Sequence, residues 1–438
     1  MQQLLEEAHR AAALVQKLGA QQARIRIDRV RYAELKQSRG EVEAINSSVG
    51  MRLTAQLYVD GRYSSHSTSD LRPAALEQFF KNAVALTRYL APDPHRKLPE
   101  AGRYTPTPAL ELDIFDPEFE RVTLEERKAQ LTQLEKLLAQ APFKVIHTSV
   151  ESFDELLEFA IVNTNGFEGY QQETEHSFGV DITAEDPQGK LVQGGDFIRV
   201  RLNRQVPALE TLAKSALQRT GRNLGARPIK TRTLPMLLEN RVVGRLVGNM
   251  LGPMQGYALQ QRQSFLEGKK GQAIASTALS LVDEPHLVGG LSSRFFDDEG
   301  LPTQKRVLVD RGILQDYVLD VYYASKLKLV PTGGSLSNLV IPPGTRTLDE
   351  LMKAADTGIL VTGFLGGNSN GTTGDFSLGI NGLYFEKGQV VQPVQEMNIA
   401  GNQLDVWKRL QEVGSDPFMY GAARLPSLLF ADMVFSGV

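Results

Sequence analysis

At 438 residues the chain is long enough for two or three folding units at about 150 residues each, and needs no disulfide staples to hold a core. Its 42% hydrophobic and 23% charged content excludes a disordered chain, and a formal charge of -3 excludes a strongly basic nucleic-acid or anionic-membrane binder. The absence of cysteine rules out disulfide frameworks, thiolate metal sites and cysteine nucleophiles, and fits a cytoplasmic location.

The segment from Met1 to Gly19 carries Glu6 and Glu7 where a signal peptide would want basic residues. Its Leu4, Leu5, Ala8, Ala11, Ala12 and Val15 recur at helical spacing, so it reads as an amphipathic helix. Ala23, Ile25 and Ile27 then alternate with Arg24, Arg26 and Asp28, and a matching alternation runs from Met51 to Val59; both are half-buried strands. Asp60-Gly61 signals a hairpin, and Ser69 or Asp70 is placed to cap a helix running from Leu71 to Leu90. Residues 1–100 therefore form an expected N-terminal α+β domain. Prolines 92, 94, 99, 106, 108 and 117 give the next stretch the composition of a linker. A capping box at Thr123 and Glu126 opens another helix, strands follow at His147–Ser152 and Glu158–Val162, and Asn165-Gly166 marks a hairpin. With a helix at Leu209–Leu217 this makes a middle α+β domain over 118–225. From 230 to 438 short apolar runs punctuated by glycine follow a strand at Leu234–Leu238 and a helix at Arg241–Leu251, as in a mostly β C-terminal domain. Nowhere do about 18 apolar residues run together as a membrane span requires.

Three patterns carry possible chemistry. Gly367-Asn368-Ser369-Asn370-Gly371 matches G-x-S-x-G, yet the glycine-rich, β-prone residues after it do not supply the helix that a nucleophile elbow needs. Asp283, Glu284, His286, Asp297, Asp298 and Glu299 form the densest group of potential metal ligands, in turn-rich sequence that matches no ligand loop. The histidines at 9, 66, 95, 147, 176 and 286 are too scattered to suggest a paired set. Gly244, Gly248 and Gly252 recur every four residues on one helix, each costing about 1 kcal/mol against alanine. Either that face packs tightly on a neighbouring sheet, or another chain or a substrate strand passes along it.

Four segments, Ser67-Thr68-Ser69-Asp70, Asn163-Thr164-Asn165-Gly166, Asp297-Asp298-Glu299-Gly300 and Thr373-Gly374-Asp375-Phe376-Ser377, resemble those of the PmbA/TldD family in register over most of the chain. The resemblance implies a cytoplasmic two-subunit peptidase acting on peptides or modified peptide precursors, a family also named for modulation of DNA gyrase. In it a TldD-type subunit carries a His-Glu-x-x-x-His zinc motif and a PmbA/TldE-type subunit does not. Aligning the helix glycines places Gly248 and Pro253 at the two histidines and Asn249 at the glutamate, and none of these supplies zinc ligation or a general base. The cysteine that metal-bearing relatives use near the C-terminus is also missing. The resemblance thus implies a PmbA/TldE-type subunit without catalytic or metal-binding residues, with zinc expected only in a homologous TldD-type partner. It has no direct nucleic-acid or membrane role. Gly244, Gly248, Gly252, Asn368, Thr373, Gly374 and Asp375 are the expected peptide or partner contacts, the loop forming part of a cavity wall. Two alternatives stay open: a homodimer that binds peptides without cleaving them, and an independent hydrolase using Ser369 or the acidic group.

Overall fold

The computed structural model describes residues 2–106 and 108–438. The first half comprises α1 (Gln2–Lys17), β1 (Gln22–Ser38), β2 (Glu41–Val59), β3 (Arg62–Thr68), α2 (Pro73–Thr87), α3 (Leu124–Leu138), β4 (Val145–Asn163), β5 (Phe167–Glu185), β6 (Leu191–Val200) and α4 (Leu209–Gly221). All six strands join one antiparallel sheet in the order β3-β2-β1-β4-β5-β6. The pairing of β1 with β4, from Arg24↔Asn163 to Gln37↔Val150, makes residues 1–100 and 118–225 two halves of a shared sheet.

Side-chain alternation explains the layering. Ile25, Ile27 and Leu35 of β1 point to one face, where α1 and α2 cover one half of the sheet and α3 and α4 the other. Arg24 and Arg26 point to the opposite face and meet the C-terminal unit through the Glu299 carbonyl and the Asp298 carboxylate. Asp60 and Gly61 both adopt positive φ, 50° and 72°, which matches a two-residue turn to the twist of β2 and β3. The strands expected at 147–152 and 158–162 are one continuous β4, and Pro73 rather than Ser69 or Asp70 opens α2: Arg72 stands at the cap position and its side chain makes no capping bond. Proline-rich residues 91–117 do not hang free as their composition implies. Leu98, Leu112 and Ile114 are buried, and the Ile114 carbonyl accepts from the Thr174 amide.

The second half runs β7 (Arg232–Leu238), α5 (Val243–Leu251), α6 (Gly256–Gln260), β8 (Leu281–Glu284), β9 (Arg306–Asp310), β10 (Ile313–Leu314), α7 (Val321–Leu327), β11 (Asn338–Val340), α8 (Leu348–Ala355), β12 (Gly358–Ser369), β13 (Asp375–Glu386), β14 (Gln389–Asn402), α9 (Gln403–Lys408), β15 (Leu410–Val413), β16 (Ala423–Arg424) and β17 (Leu428–Ser436). It is mostly β, with a five-stranded sheet β10-β9-β8-β11-β16 and a six-stranded sheet β14-β13-β12-β7-β17-β15. Pairing of Ile399 in β14 with Phe435 in β17 bends the second sheet into a ring around Met236, Leu238, Ile380 and Phe430. Arg201 staples the two halves. Its buried guanidinium donates to the carbonyls of Thr174 and Gly290 and to the Glu173 carboxylate. Among the described residues no helix is long and apolar enough to cross a membrane.

Candidate functional site

The site grows from the end of β7. Glu239, 7% exposed, receives guanidinium groups from Arg219 of α4 and from Arg222, which caps the end of that helix, at 2.9 and 2.6 Å. Burial disfavours its charge, but hydrogen bonds and charge from Arg222 and Arg219 outweigh that and hold the carboxyl below the ordinary glutamate range. This anchor sets where α5 starts. Val243, Leu246, Val247 and Met250 then recur at helical spacing and sink into the C-terminal core.

The glycines stand on the other side of that helix. Gly244 and Gly248 are exposed, and a Cβ built on Gly248 meets nothing within 4 Å. On Gly244 it meets only Leu425, at 3.8 Å, and on Gly252 only the Tyr257 hydroxyl, at 3.9 Å. The reading of this face as tight packing on a neighbouring sheet is therefore corrected: within this chain the stripe is bare. Pro253 follows the last turn and is buried. Gly248 and Pro253 carry no side-chain donor atom, and the Asn249 amide nitrogen is buried without a hydrogen-bond partner among the described residues.

Beside the helix lies a strand edge. β7 pairs with β12 only at Ile359–Val361, so from Thr362 to Asn368 no strand among the described residues pairs with that side of β12. The segments on either side of α5 touch the β12–β13 hairpin: the Glu239 amide, before the helix, donates to the Val361 carbonyl, and Pro253, after it, comes within 3.7 Å of the Cβ position of Gly371. A bulge at Gly366-Gly367 bends the strand midway.

The β12–β13 hairpin ends in a rigid tip. The Asn370 side-chain carbonyl accepts from the amides of Thr372 and Thr373, the Thr373 hydroxyl donates to Asp375, and the Asn402 amide donates to Asp375 and to the Thr373 carbonyl. The hydrogen bonds from Asn402 and Thr373 hold the Asp375 carboxyl below its ordinary value. Gly374 has φ +84°, and a Cβ there would sit 3.2 Å from Phe265 and 3.3 Å from Asn402, so glycine is required. Thr373, Gly374 and Asp375 thus shape the tip, while Asn368 is exposed on the strand leading to it.

The two other chemical patterns take structural roles. G-x-S-x-G is a hairpin, with Ser369 paired to Phe376, and the Ser369 hydroxyl is bonded to no His, Asp or Glu among the described residues. The acidic group is dispersed into structural roles. Asp283 binds Arg306 and Ser337, Asp297 accepts from the amides of Glu299 and Leu301, and Asp298 binds Arg26 and Ser335. No three His, Asp or Glu side chains among the described residues converge to hold a metal.

Sequence reasoning missed a groove of ≈730 Å³ that opens at Gly244 and runs between α5 and strands β5 and β6. Arg241 sits in its wall, paired with Asp196 at 2.8 Å and stacked 3.5 Å over Phe418, whose ring meets Phe197 edge-on. These residues come from three separated segments, and no local pattern joins them.

Comparison with known proteins agrees with this architecture. Residues 231–437 match the PmbA/TldA metallopeptidase C-terminal domain, and residues 117–224 match the central domain of the same proteins. Metalloprotease PmbA of Escherichia coli O157:H7 is 28% identical over 99% of this chain and 96% of its own length. A crystal structure from Bacteroides thetaiotaomicron VPI-5482, named for candidate modulation of DNA gyrase, superposes with a TM-score of 0.95 at 33% identity, covering 99% of this chain and 98% of that one. TldE from Thermococcus kodakarensis shares the fold, with a TM-score of 0.87 at 22% identity over 98% of this chain and 100% of its own. By sequence, domain order and fold, the chain belongs to the PmbA/TldD family.

Proposed function

We propose that this chain is the non-catalytic, PmbA/TldE-type subunit of a cytoplasmic two-subunit zinc metallopeptidase. The observation that carries this reading is the bare glycine stripe of α5, on a helix without His, Cys, Asp or Glu, together with an edge of β12 that no strand among the described residues covers. An extended peptide fits such a place: the strand edge offers backbone hydrogen bonds, and the glycines leave room for the peptide's side chains. Zinc and the general base would belong to a homologous TldD-type partner, and the acid- and arginine-lined groove beside Gly244 adds surface for that partner or for peptide.

The test is reconstitution with a zinc-bearing homologue and a peptide substrate. Purified alone, the chain should bind no stoichiometric zinc and cleave nothing; together the two should form a stable complex that cleaves. Gly248→Leu should lower cleavage by the complex about tenfold or more, because the added side chain enters space a peptide needs. It should leave this chain folded, since nothing lies within 4 Å of that Cβ. Ser369→Ala should leave activity unchanged. Cleavage by the isolated chain, lost in Ser369→Ala, would establish the independent hydrolase. Peptide binding by a homodimer that ignores the homologue would establish the binding protein.

A further inference from the structure

The first sheet leaves much of one edge open. β3 pairs with β2 only from Leu53 to Val59, so from Glu41 to Arg52 no strand among the described residues takes the outer side of β2. Sheet edges are ordinarily guarded by proline, lysine or a bulge. This stretch carries neither proline nor lysine, and its register shift, opposite Lys36 and Gln37, makes Glu43 the extra residue near the hairpin end. Ala44 to Arg52 is therefore a regular, unguarded edge. Ile45 and Val49 on it are 55% and 66% exposed. Paired with Leu35 and Arg31 of β1, they share with Ser47 the face on which Leu35 is buried. On that face a hollow of ≈160 Å³ opens at Ser47, with Ala33, Leu35, Phe119 and Leu124 in its lining.

The residues of this edge complement themselves. About Ser47, Ile45 is balanced by Val49, Asn46 by Ser48 and Ala44 by Gly50, with no charge among them. Glu41 and Arg52 stand at the two ends, and neither makes an ion pair with any described residue. A second copy laid antiparallel on the edge, with a two-fold axis at Ser47, sets each Ile45 against the partner's Val49. The same operation turns the acidic Glu41 end towards the partner's Arg52. Directly opposed β-branched side chains and opposite charges both stabilise a strand pair. An axis at Val49 would instead call on Leu53, whose outer side β3 already holds. A patch that complements itself under a two-fold axis is what the interface of a symmetric dimer requires.

We propose that the free edge of β2 binds a second copy of this chain, the two β2 strands pairing antiparallel about Ser47 and joining the two first sheets into one. This edge belongs to the half of the chain that holds neither α5 nor β12, so the proposal is independent of the peptidase reading.

Because the chain has no cysteine, a single introduced thiol reports the contact. Ser47→Cys places two thiols across the axis, where opposed antiparallel residues stand about 4.5–5.5 Å apart at Cα, within disulfide reach. Mild oxidation of the full chain should give a covalent dimer, whereas Leu191→Cys, on the other edge strand β6 and 58% exposed in the native side chain, should not. Sedimentation of the unaltered chain should show a dimer whose dissociation constant rises about tenfold or more in Val49→Glu, which sets a carboxylate against the partner's Ile45. Adding Ile45→Lys to that variant should restore the dimer, because each new lysine then meets a new glutamate of the partner. A chain that stays monomeric, crosslinking of Leu191→Cys equal to that of Ser47→Cys, or a double variant no better than Val49→Glu alone overturns the proposal.

Discussion

Helices α1 and α5 solve the same packing problem and differ on the face that packing leaves alone. α1 buries Leu4, Ala8, Ala11, Ala12 and Val15, and turns Gln3, Glu6, Arg10, Ala13 and Gln16 to solvent. α5 buries Val243, Leu246, Val247 and Met250, and turns Gly244 and Gly248 outward. A surface helix gains nothing from outward glycine, which loses about 1 kcal/mol of helix propensity per residue against alanine. The outer face of α1 is explained by solubility, whereas no contact among the described residues explains that of α5. Placement differs as well, because α1 is seated by apolar contacts and α5 starts from the ion cluster at Glu239.

The strongest way to break this contrast is to remove the anchor. Glu239→Ala strands two part-buried guanidinium groups and should cost about 3 kcal/mol, read as a lower denaturant midpoint. The same carboxylate gives a pH signature. Its folded pKa lies below the unfolded value of 4.5, so its stabilisation is complete above that value and is lost as pH falls through the folded pKa. In acid, then, the gap between Glu239→Ala and the unaltered chain should narrow. A midpoint difference that stays constant down to strongly acid pH would deny the cluster its role.

A smaller and sharper test exchanges glycine and alanine between the helices. Gly248→Ala should stabilise the chain by about 1 kcal/mol, since its φ is ordinary and the added methyl meets nothing, and Ala13→Gly in α1 should destabilise it by a similar amount. If Gly248→Ala instead destabilises the isolated chain, the stripe packs against this chain after all. Smallest of all, Gln3→Ala on the outer face of α1 should change stability by less than about 0.5 kcal/mol and leave complex formation untouched.

What could be read from sequence follows the range of the forces involved. Alternation at Ala23–Asp28, the capping box at Thr123 and Glu126, and the Asp60-Gly61 turn are local, and each was legible. Pairing of β1 with β4 across the proline-rich segment was not, because alternation shows that a strand has a buried face without naming its neighbour. The glycine period on α5 was visible, yet its orientation depended on where Val243, Leu246 and Met250 found their core. The Asp297-Asp298-Glu299 run misled for a related reason: acids in turns look alike whether they bind a cation or cap backbone amides, and only the fold reveals the amides of Glu299 and Leu301 beside Asp297. Arg24 reads as one polar residue on a strand, and nothing local marks it as buried against the C-terminal half.

The shared first sheet also bears on how the chain is made. β1 is completed on one side by β2, which follows almost at once, and on the other by β4, whose Asn163 side chain accepts from Arg24 across 139 positions. A chain emerging from the ribosome therefore holds β1 half-satisfied until about the first third of its length has been synthesised, waiting on the one distant pairing in a sheet whose other pairs join consecutive strands. A fragment ending near residue 100 exposes that edge permanently and should self-associate, whereas one ending just after α4 carries every strand of the sheet.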